Sequence, residues 1–306
     1  MIDHIRLATR ESALAMWQAN YVKSHLEQAH QGLEVEIIGM TTAGDRDKRS
    51  PLSQMGGKGV FIKELEIALY EGRADIAVHS MKDVPSVIPD GLHLSAICER
   101  EDPRDALVSS RFNSLLDLPA GSKIGSSSLR RRLQLKQARP DLVYEELRGN
   151  VGTRLGKLDE GAFDGIILAA AGLIRLQLKD RITEEIDPIL CIPSAGQGAV
   201  GIESRSDNHE LNALLDAINH QDTYDCVLCE REISSGLGAD CSLPIAAFAS
   251  LSGENIKLSA YVSDRIGSRH ISLARSGLRS EGITIAKEMV EALYEAGAGE
   301  LISENT

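Results

Sequence analysis

The stretch SKIGSSSLRRRLQLKQARPDLVYEELRGN, residues 122–150, decides the fold of this chain. Short apolar runs alternate in it with longer segments of helical period, and turn residues separate the two. With the residues that follow, the pattern predicts a strand over 122–125, a helix over 127–138, a strand over 142–147, a helix over 151–160, a strand over 164–168 and a helix over 169–177. Strands that alternate with helices are typical of parallel sheets covered on both faces.

Further strands and helices are predicted on both sides of this region. The first hundred residues are predicted to hold strands over 5–8, 33–40 and 75–80 and helices around Trp17 and over 61–70. Near the other end, apolar and polar residues alternate from Ile256 to Val262, which predicts a half-exposed antiparallel strand. A final helix around Met289 then completes a small α+β domain.

Polar segments connect some of the predicted elements. Segments 99–104 and 192–198 both contain proline and are predicted to be hinges. The segment 41–59 is polar, rich in glycine and long for a connection without structure of its own. It is predicted to be a lid, a binding loop or disorder.

Composition limits the classes of function. The 306 residues carry a net charge of −12, which argues against a general nucleic-acid binder but permits a local cationic cleft. No apolar stretch approaches the length of a membrane span, and no basic leader with an apolar run opens the sequence, so a cytoplasmic protein is expected. Five cysteines without regular spacing do not predict a disulfide framework.

Arginines recur close to predicted helix starts, and this is the main chemical signal. They occur in segments 9–12, 126–132 and 148–154. A cation there opposes the helix dipole by about 0.3–1 kcal/mol, whereas helix N-termini and arginine forks both bind anions. Any one of these arginines is more simply a surface side chain paired with acids such as Glu145 or Glu146. Three cases in one structural position predict a pocket for a ligand with several carboxylates or phosphates.

Other polar residues have competing explanations. At the end of a predicted strand, Lys82 is suited to bind an anion and Asp83 to balance a cation, but a plain turn closed by Pro85 explains them equally well. His79 is expected to be a core histidine. The run from Gly56 to Gly59 is a weak match to a phosphate loop and is better explained as a flexible lid.

The cysteines also have competing explanations. Cys241 is either a small buried hydrophobe or a thiol alkylated once and kept that way, because Asp240 beside it disfavours the thiolate that a freely turning-over nucleophile needs. A zinc site of His220, Cys226 and Cys229 with Cys241 fits no common spacing, so no metal is expected.

Taken in order along nearly the whole chain, these motifs resemble those of the hydroxymethylbilane synthase (porphobilinogen deaminase) family. The matching segments are ATRES at 8–12, GGKG at 56–59, ADIAVHSMKDVP at 74–85, EREDPRD at 99–105, GSSSLRR at 125–131, LRGNVGTR at 147–154 and GQGA at 196–199. Each segment is moderately specific, and their order makes the set highly specific.

The resemblance implies a fold of three domains. Two are α/β lobes like those of periplasmic binding proteins, over 1–98 with 199–217 and over 104–193. The third is a small C-terminal α+β domain over 221–306 that carries Cys241. A monomer is also implied.

The resemblance further implies an activity and its residues. Four porphobilinogen molecules are condensed, with loss of ammonia, onto a dipyrromethane cofactor joined to Cys241 by a thioether, and hydrolysis then releases the linear tetrapyrrole. Asp83 is implied to be the catalytic acid, which also stabilises an azafulvenium cation, and Lys58 to lie on the loop over the cleft. The other residues implied to contact the cofactor are Lys82, Ser128, Arg130 and Arg131, and those implied to contact the substrate chain are Arg10, Ser12, Arg148, Arg154, Arg175 and Gln197.

The sequence departs from the family pattern at two places. Ala239-Asp240 stands where a glycine pair is frequent, and Gln54 where lysine is frequent. Two other functions compete: a non-catalytic two-lobed binding protein, which has no need of Cys241, and a regulator that binds nucleic acid through 128–132, which the acidic net charge disfavours. Neither a nucleic acid nor a membrane is expected as a partner.

Overall fold

The computed structural model describes residues 2–46, 59, 61–238 and 243–303. The chain forms two compact units, one of Met1–Glu101 with Ala199–Asp225 and the other of Asp102–Gly198 with Cys226–Thr306. The strands are β1 His4–Arg10, β2 Glu34–Met40, β3 Ile76–Ser80, β4 Leu92–Ile97, β5 Asp105–Val108, β6 Lys123–Gly125, β7 Val143–Glu145, β8 Gly165–Ala169, β9 Glu184–Ile186, β10 Val200–Arg205, β11 Ile245–Ser252, β12 Asn255–Ser263 and β13 His270–Leu278. The α-helices are α1 Ala13–Ala29, α2 Ala43–Arg46, α3 Lys63–Tyr70, α4 Leu129–Ala138, α5 Val151–Asp159, α6 Ala170–Arg175, α7 His209–Leu215, α8 Gln221–Gly236, α9 Gly282–Glu295 and α10 Ala298–Ser303.

The first unit is built on a five-stranded sheet in the order β2-β1-β3-β10-β4. Strand β1 is parallel to β2 and β3, as predicted, but β10 runs antiparallel to both β3 and β4. The sheet is therefore parallel in part, as predicted, and mixed overall, because β10 brings the chain back into it in the opposite direction. Helix α1 packs on one face with Leu26 against Ile5, and α3 packs Leu65 against Ala8 from the other face.

The second unit contains a five-stranded sheet in the order β7-β6-β8-β5-β9. Strand β6 is parallel to β7 and β8, whereas β5 is antiparallel to β8 and β9, so this sheet is also mixed rather than all-parallel. Alternate residues of each strand face opposite sides: Ile166 packs with Leu155 of α5, and Ile167 packs with Leu135 of α4. Helices therefore cover both faces, as predicted.

The second unit also contains a three-stranded antiparallel sheet in the order β11-β12-β13. The predicted strand near Ile256 and the predicted final helix are observed as β12 and α9. Residues of α8 and α9, such as Ile233 and Met289, form one core with Leu258 of β12. The fold class is thus confirmed as two α/β sheet lobes with a small α+β domain, while the division at 1–98 with 199–217, 104–193 and 221–306 stays a prediction. In the ranges described, no helix combines the length and apolar character that crossing a bilayer requires.

Candidate functional site

Three helices of the second unit begin at the same edge of its sheet. Helices α4, α5 and α6 directly follow β6, β7 and β8, which are parallel neighbours, so their N-termini lie at the carboxyl ends of these strands. Ligands of open α/β sheets bind at such edges. The predicted arginines of this unit lie on or beside these helices: Arg130 and Arg131 in the first turn of α4, Arg148 and Arg154 around the start of α5, and Arg175 in the last turn of α6.

Two of these arginines meet at a carboxylate that the sequence analysis did not select. Asp105, at the start of β5, is 0% exposed. Its Oδ2 lies 2.8 Å from Nη1 of Arg130, and its Oδ1 accepts a hydrogen bond of 2.8 Å from Nε of Arg131. The thiol of Cys191 donates to Oδ2 at 3.3 Å. Asp105 is therefore the centre of a buried charged cluster.

The charges of this cluster are unequal. Burial alone raises the pKa of Asp105, but the charges of Arg130 and Arg131 outweigh it and hold that pKa well below its usual range. Burial and the neighbouring Asp105 raise the pKa of Cys191 to about 12, so its thiol stays neutral. One carboxylate thus faces two guanidinium groups, and Nε of Arg132, in the next position, is buried without a hydrogen bond from the described residues. An excess of buried positive charge fits an anionic ligand.

Gln197 links this cluster to the chain on either side. Its side chain is 0% exposed, its Oε1 accepts from Nη2 of Arg131 at 3.0 Å, and its Nε2 donates to Oδ1 of Asp105 at 2.8 Å and to the carbonyl of Pro103 at 2.7 Å. Nearby, Nη2 of Arg175 donates to the carbonyl of Gly198 at 2.6 Å. The buried amide of Gln197 therefore joins segments 103–105 and 197–198 through protein contacts.

The remaining predicted residues of this edge have simpler surroundings. The hydroxyl of Ser128 caps α4 by accepting from the backbone N–H of Arg131 at 3.4 Å. Arg154 donates from Nε to the carbonyl of Gly149 at 2.6 Å, and both it and Arg148 are half-buried. Nε of Arg148 lies 3.8 Å from Oε1 of Glu146, so the competing explanation of a pairing with acids is correct in part.

In the first unit, β1 ends at Arg10 and Ser12 then caps α1, accepting from the backbone N–H of Ala15 at 3.3 Å. The guanidinium of Arg10 pairs with both carboxylate oxygens of Asp45 and lies 4.2 Å from the ring centroid of Phe61. Burial raises the pKa of Asp45, but hydrogen bonds from Arg10 and Thr42 lower it by more. Part of the predicted lid therefore forms the short helix α2. Asp45 of this helix pairs with Arg10, one of the arginines predicted to bind the ligand.

Lys82 and Asp83 lie in the 3-10 turn Met81–Asp83 that follows β3, at the same edge of the sheet as Arg10, because β1 and β3 are parallel neighbours. Both side chains are half-buried. Within 2–46, 59, 61–238 and 243–303, no group donates a hydrogen bond to the Asp83 carboxylate. His79 is buried, as predicted, with Nε2 2.9 Å from Oε2 of the buried Glu203.

Two predicted residues lie outside the described residues. They are Lys58 and Cys241, and the departures Gln54 and Ala239-Asp240 fall outside as well. Cys226 and Cys229 are buried in α8. No group of His, Cys, Asp and Glu side chains suited to a metal ion occurs in the portion that is described.

The fold and this cationic edge define a class: an α/β protein that binds an anionic ligand. Residues 5–213 match the family model described as "Porphobilinogen deaminase, dipyromethane cofactor binding domain", and residues 224–294 match "Porphobilinogen deaminase, C-terminal domain". The chain belongs to the porphobilinogen deaminase family, which confirms the resemblance in the motifs. Its general activity is that of a transferase in tetrapyrrole synthesis, with porphobilinogen as the family's substrate and dipyrromethane as its cofactor.

Three solved structures are among those similar to this chain. A putative methionine-binding lipoprotein from Bacillus subtilis is 13% identical, with a TM-score of 0.44 over 73% of this chain and 93% of that one. The methionine-binding protein MetQ is 17% identical, with a TM-score of 0.46 over 73% and 93%. The periplasmic VFT2 domain of BvgS from Bordetella pertussis is 17% identical, with a TM-score of 0.43 over 71% and 86%.

Proposed function

We propose that this chain is a hydroxymethylbilane synthase. It condenses four porphobilinogen molecules head to tail, with release of ammonia, on a dipyrromethane primer bound through Cys241, and then releases the linear tetrapyrrole hydroxymethylbilane by hydrolysis. The observation that carries the proposal is the cationic edge of the second sheet, where one buried carboxylate faces two arginines within a family-model match that covers most of the chain. We also propose that the enzyme is a cytoplasmic monomer.

The residues at this edge fit a dipyrromethane carrying acetate and propionate groups. Arg130, Arg131 and Arg175 are buried and positively charged, and the single charge of Asp105 does not neutralise them. Ser128 offers a hydroxyl at the start of α4. When bound, the cofactor would supply the free pyrrole carbon to which the first porphobilinogen is joined, and each later unit would be joined to the end of the growing chain. A charge-assisted hydrogen bond from an arginine to a carboxylate contributes about 1.5–3 kcal/mol, so several of them hold a lengthening chain between additions.

The other predicted residues act on the substrate. Arg148, Arg154, Arg10 and Ser12 bind carboxylates of porphobilinogen and the growing chain, and Lys58 and Gln197 support them. Lys82 lies beside Asp83 in one turn. Loss of ammonia leaves a cation, and the half-buried carboxylate of Asp83 stabilises that charge while the acid form supplies the proton that ammonia needs to depart.

The intact mass of the purified protein tests this function. The wild-type mass should exceed that of the sequence by one two-pyrrole adduct, and Cys241→Ser should abolish the excess. Asp83→Asn should keep the fold and lose turnover by at least about 100-fold, as expected for a general acid, whereas the exposed neighbour Asp90→Asn should retain it. An unmodified mass in active wild-type protein, or full activity of Asp83→Asn, would contradict the proposal. Analytical ultracentrifugation tests the proposed oligomeric state, and the molar mass should be that of one chain.

A further inference from the structure

We propose that Asp105 is a positioning residue for the anion-binding arginines: it fixes one side of Arg130 and locks Arg131, which leaves the Nε–Nη2 edge of Arg130 to a ligand carboxylate. This inference deepens the proposed function and rests on it. Asp105 itself touches no ligand in this proposal. It acts through the two guanidinium groups.

The contacts of Arg130 are one-sided. Its guanidinium is bonded through Nη1, which lies 2.8 Å from Asp105 Oδ2, 2.6 Å from the carbonyl of Ile192 and 3.4 Å from Sγ of Cys191. In the described ranges, no hydrogen bond starts from its Nε or Nη2. Arg130 is nevertheless almost fully buried. Its position is therefore set from one side only.

The Nε–Nη2 edge of a guanidinium group can bind both oxygens of a carboxylate side-on. Arg6 of the same chain uses it, donating from Nε and Nη2 to the two oxygens of Asp75 at 3.0 and 2.7 Å. A planar fork of this kind binds a carboxylate with two parallel hydrogen bonds, and it loses less conformational entropy on binding when its plane is already fixed. The ion pair with Asp105 and the bond to Ile192 fix that plane for Arg130.

Arg131 has a different task. Its Nε donates to Asp105, its Nη2 to Gln197 and its Nη1, at 3.4 Å, to the carbonyl of Ile167. All three nitrogens are thus engaged by the protein. Arg131 supplies positive charge and fixes the side chains of Asp105 and Gln197 through hydrogen bonds. Arg130 supplies the Nε–Nη2 fork that binds the ligand carboxylate.

Electrostatics makes Asp105 necessary for this arrangement. Arg130 and Arg131 are sequence neighbours in the first turn of one helix, and two buried like charges repel each other strongly in a poorly solvated region. Asp105 attracts both and remains ionised. Without its charge the two guanidinium groups are expected to separate, and the fork is lost even though the net positive charge of the site increases.

Removing the charge of Asp105 has opposite expected effects in the two kinds of anion site. A site that binds anions by net charge alone gains affinity when a negative charge is removed, whereas a site that needs a positioned fork loses affinity. The probe is citrate, a polycarboxylate, and the protein is the full chain with Cys241→Ser, so that no adduct fills the site. We expect citrate at about ten times its dissociation constant to raise the melting temperature of this protein by about 2 °C.

Adding Asp105→Asn should reduce the citrate shift to less than half. The matched control is Asp164→Asn, which removes one charge from the same lobe at a residue that contacts Arg111 and the backbone of Lys123, and the shift should stay unchanged. If Asp105→Asn does not fold, Gln197→Met removes the bridging amide without changing charge and should also lower the shift. Arg130→Lys should also reduce the shift to less than half, and Asp105→Asn should cause no further loss in that background.

An equal or larger citrate shift in a folded Asp105→Asn or Gln197→Met protein would overturn the positioning role. So would a loss from Asp105→Asn that adds fully to that from Arg130→Lys. The proposed function fails by a different result, a wild-type protein without adduct or turnover. The citrate shift does not depend on that result, so the two failures are distinguishable.

Discussion

The guanidinium of Arg10 is already paired with a carboxylate of the protein itself. Asp45 holds it through two hydrogen bonds, and the ring of Phe61 lies against it. A substrate carboxylate that binds to Arg10 must therefore compete with Asp45. If Arg10 binds substrate as proposed, Asp45 is expected to lower the affinity for it.

Asp45→Asn tests this competition. Because the amide pairs less strongly with the guanidinium, the KM for porphobilinogen should fall about two- to fivefold, the equivalent of about 0.4–1 kcal/mol for one ion pair. Steady-state kinetics measures it. Glu64→Gln, which breaks the 2.9 Å pair with Arg46 in the same short helix, should leave KM unchanged. A higher KM in Asp45→Asn would show that Asp45 orients Arg10 for the substrate instead of competing for it.

Single residues also show what the sequence could and could not predict about the site. The arginines at helix starts were identified because their conflict with the helix dipole is local and visible in a few residues. Their partners Asp105 and Asp45 were missed because each lies in a different segment, 26 residues from Arg131 and 35 from Arg10. The one available signal was that Asp105 ends the quoted segment EREDPRD.

At the scale of an element, the start of α4 combines a structural and a functional demand. Ser128 caps the helix, and the first turn carries Arg130 and Arg131 without any acidic residue. An acidic cap would stabilise the same turn equally well. Serine keeps the turn capped without adding a second negative charge, beside that of Asp105, to the cationic edge.

Substitutions of Ser128 separate these demands. Ser128→Ala should lower the free energy of unfolding by about 1 kcal/mol through loss of the cap. Ser128→Asp should restore stability but reduce turnover and adduct content, because its carboxylate occupies the anion site. Denaturant unfolding and kinetics measure the two effects. Asn208, which caps α7 by accepting from Leu211, is the matched control, and Asn208→Asp should preserve both. Full turnover in Ser128→Asp would remove Ser128 from the site.

The elements that were predicted correctly are those with a local pattern. Strands β6, β7 and β8 and helices α4 and α5 are predicted within two residues of their observed bounds, because apolar period and turn residues define them. Strands β5 and β10 were not predicted. Asp105 opens β5 and Glu203 lies inside β10, and both break the apolar pattern although both are buried. Glu203 is paired with His79, 124 residues away, and no local window contains such a partner.

At the scale of the whole molecule, the buried Asp105 cluster should make stability depend on pH. The pKa of Asp105 in the folded protein lies below its ordinary value because the arginines outweigh burial. A carboxylate of this kind stabilises the fold fully above its ordinary pKa of about 4, and the contribution is lost as the pH falls below that value.

Urea unfolding at a series of pH values measures this dependence. The difference in unfolding free energy between wild type and Asp105→Asn should be constant from about pH 5 to 8 and should shrink below about pH 4. Cys191→Ser is the control: burial raises the pKa of the Cys191 thiol to about 12, so this difference should be flat over the whole range. A difference that widens on acidification would contradict the assignment of charge to Asp105.

The position of β10 governs when the first unit can be completed during synthesis. This strand lies between β3 and β4, although the whole of 102–198 precedes it in the chain. The turn that carries Lys82 and Asp83 rests on it: the backbone N–H of Met81 donates to the carbonyl of Ala199 at 3.0 Å, and a Cβ at Gly201 would come within 2.1 Å of the Met81 sulfur. When only the first hundred residues have been synthesised, the edge of β3 that pairs with β10 therefore lacks its partner. The turn that carries Lys82 and Asp83 then also lacks its backbone hydrogen bond to Ala199 until the late strand has emerged.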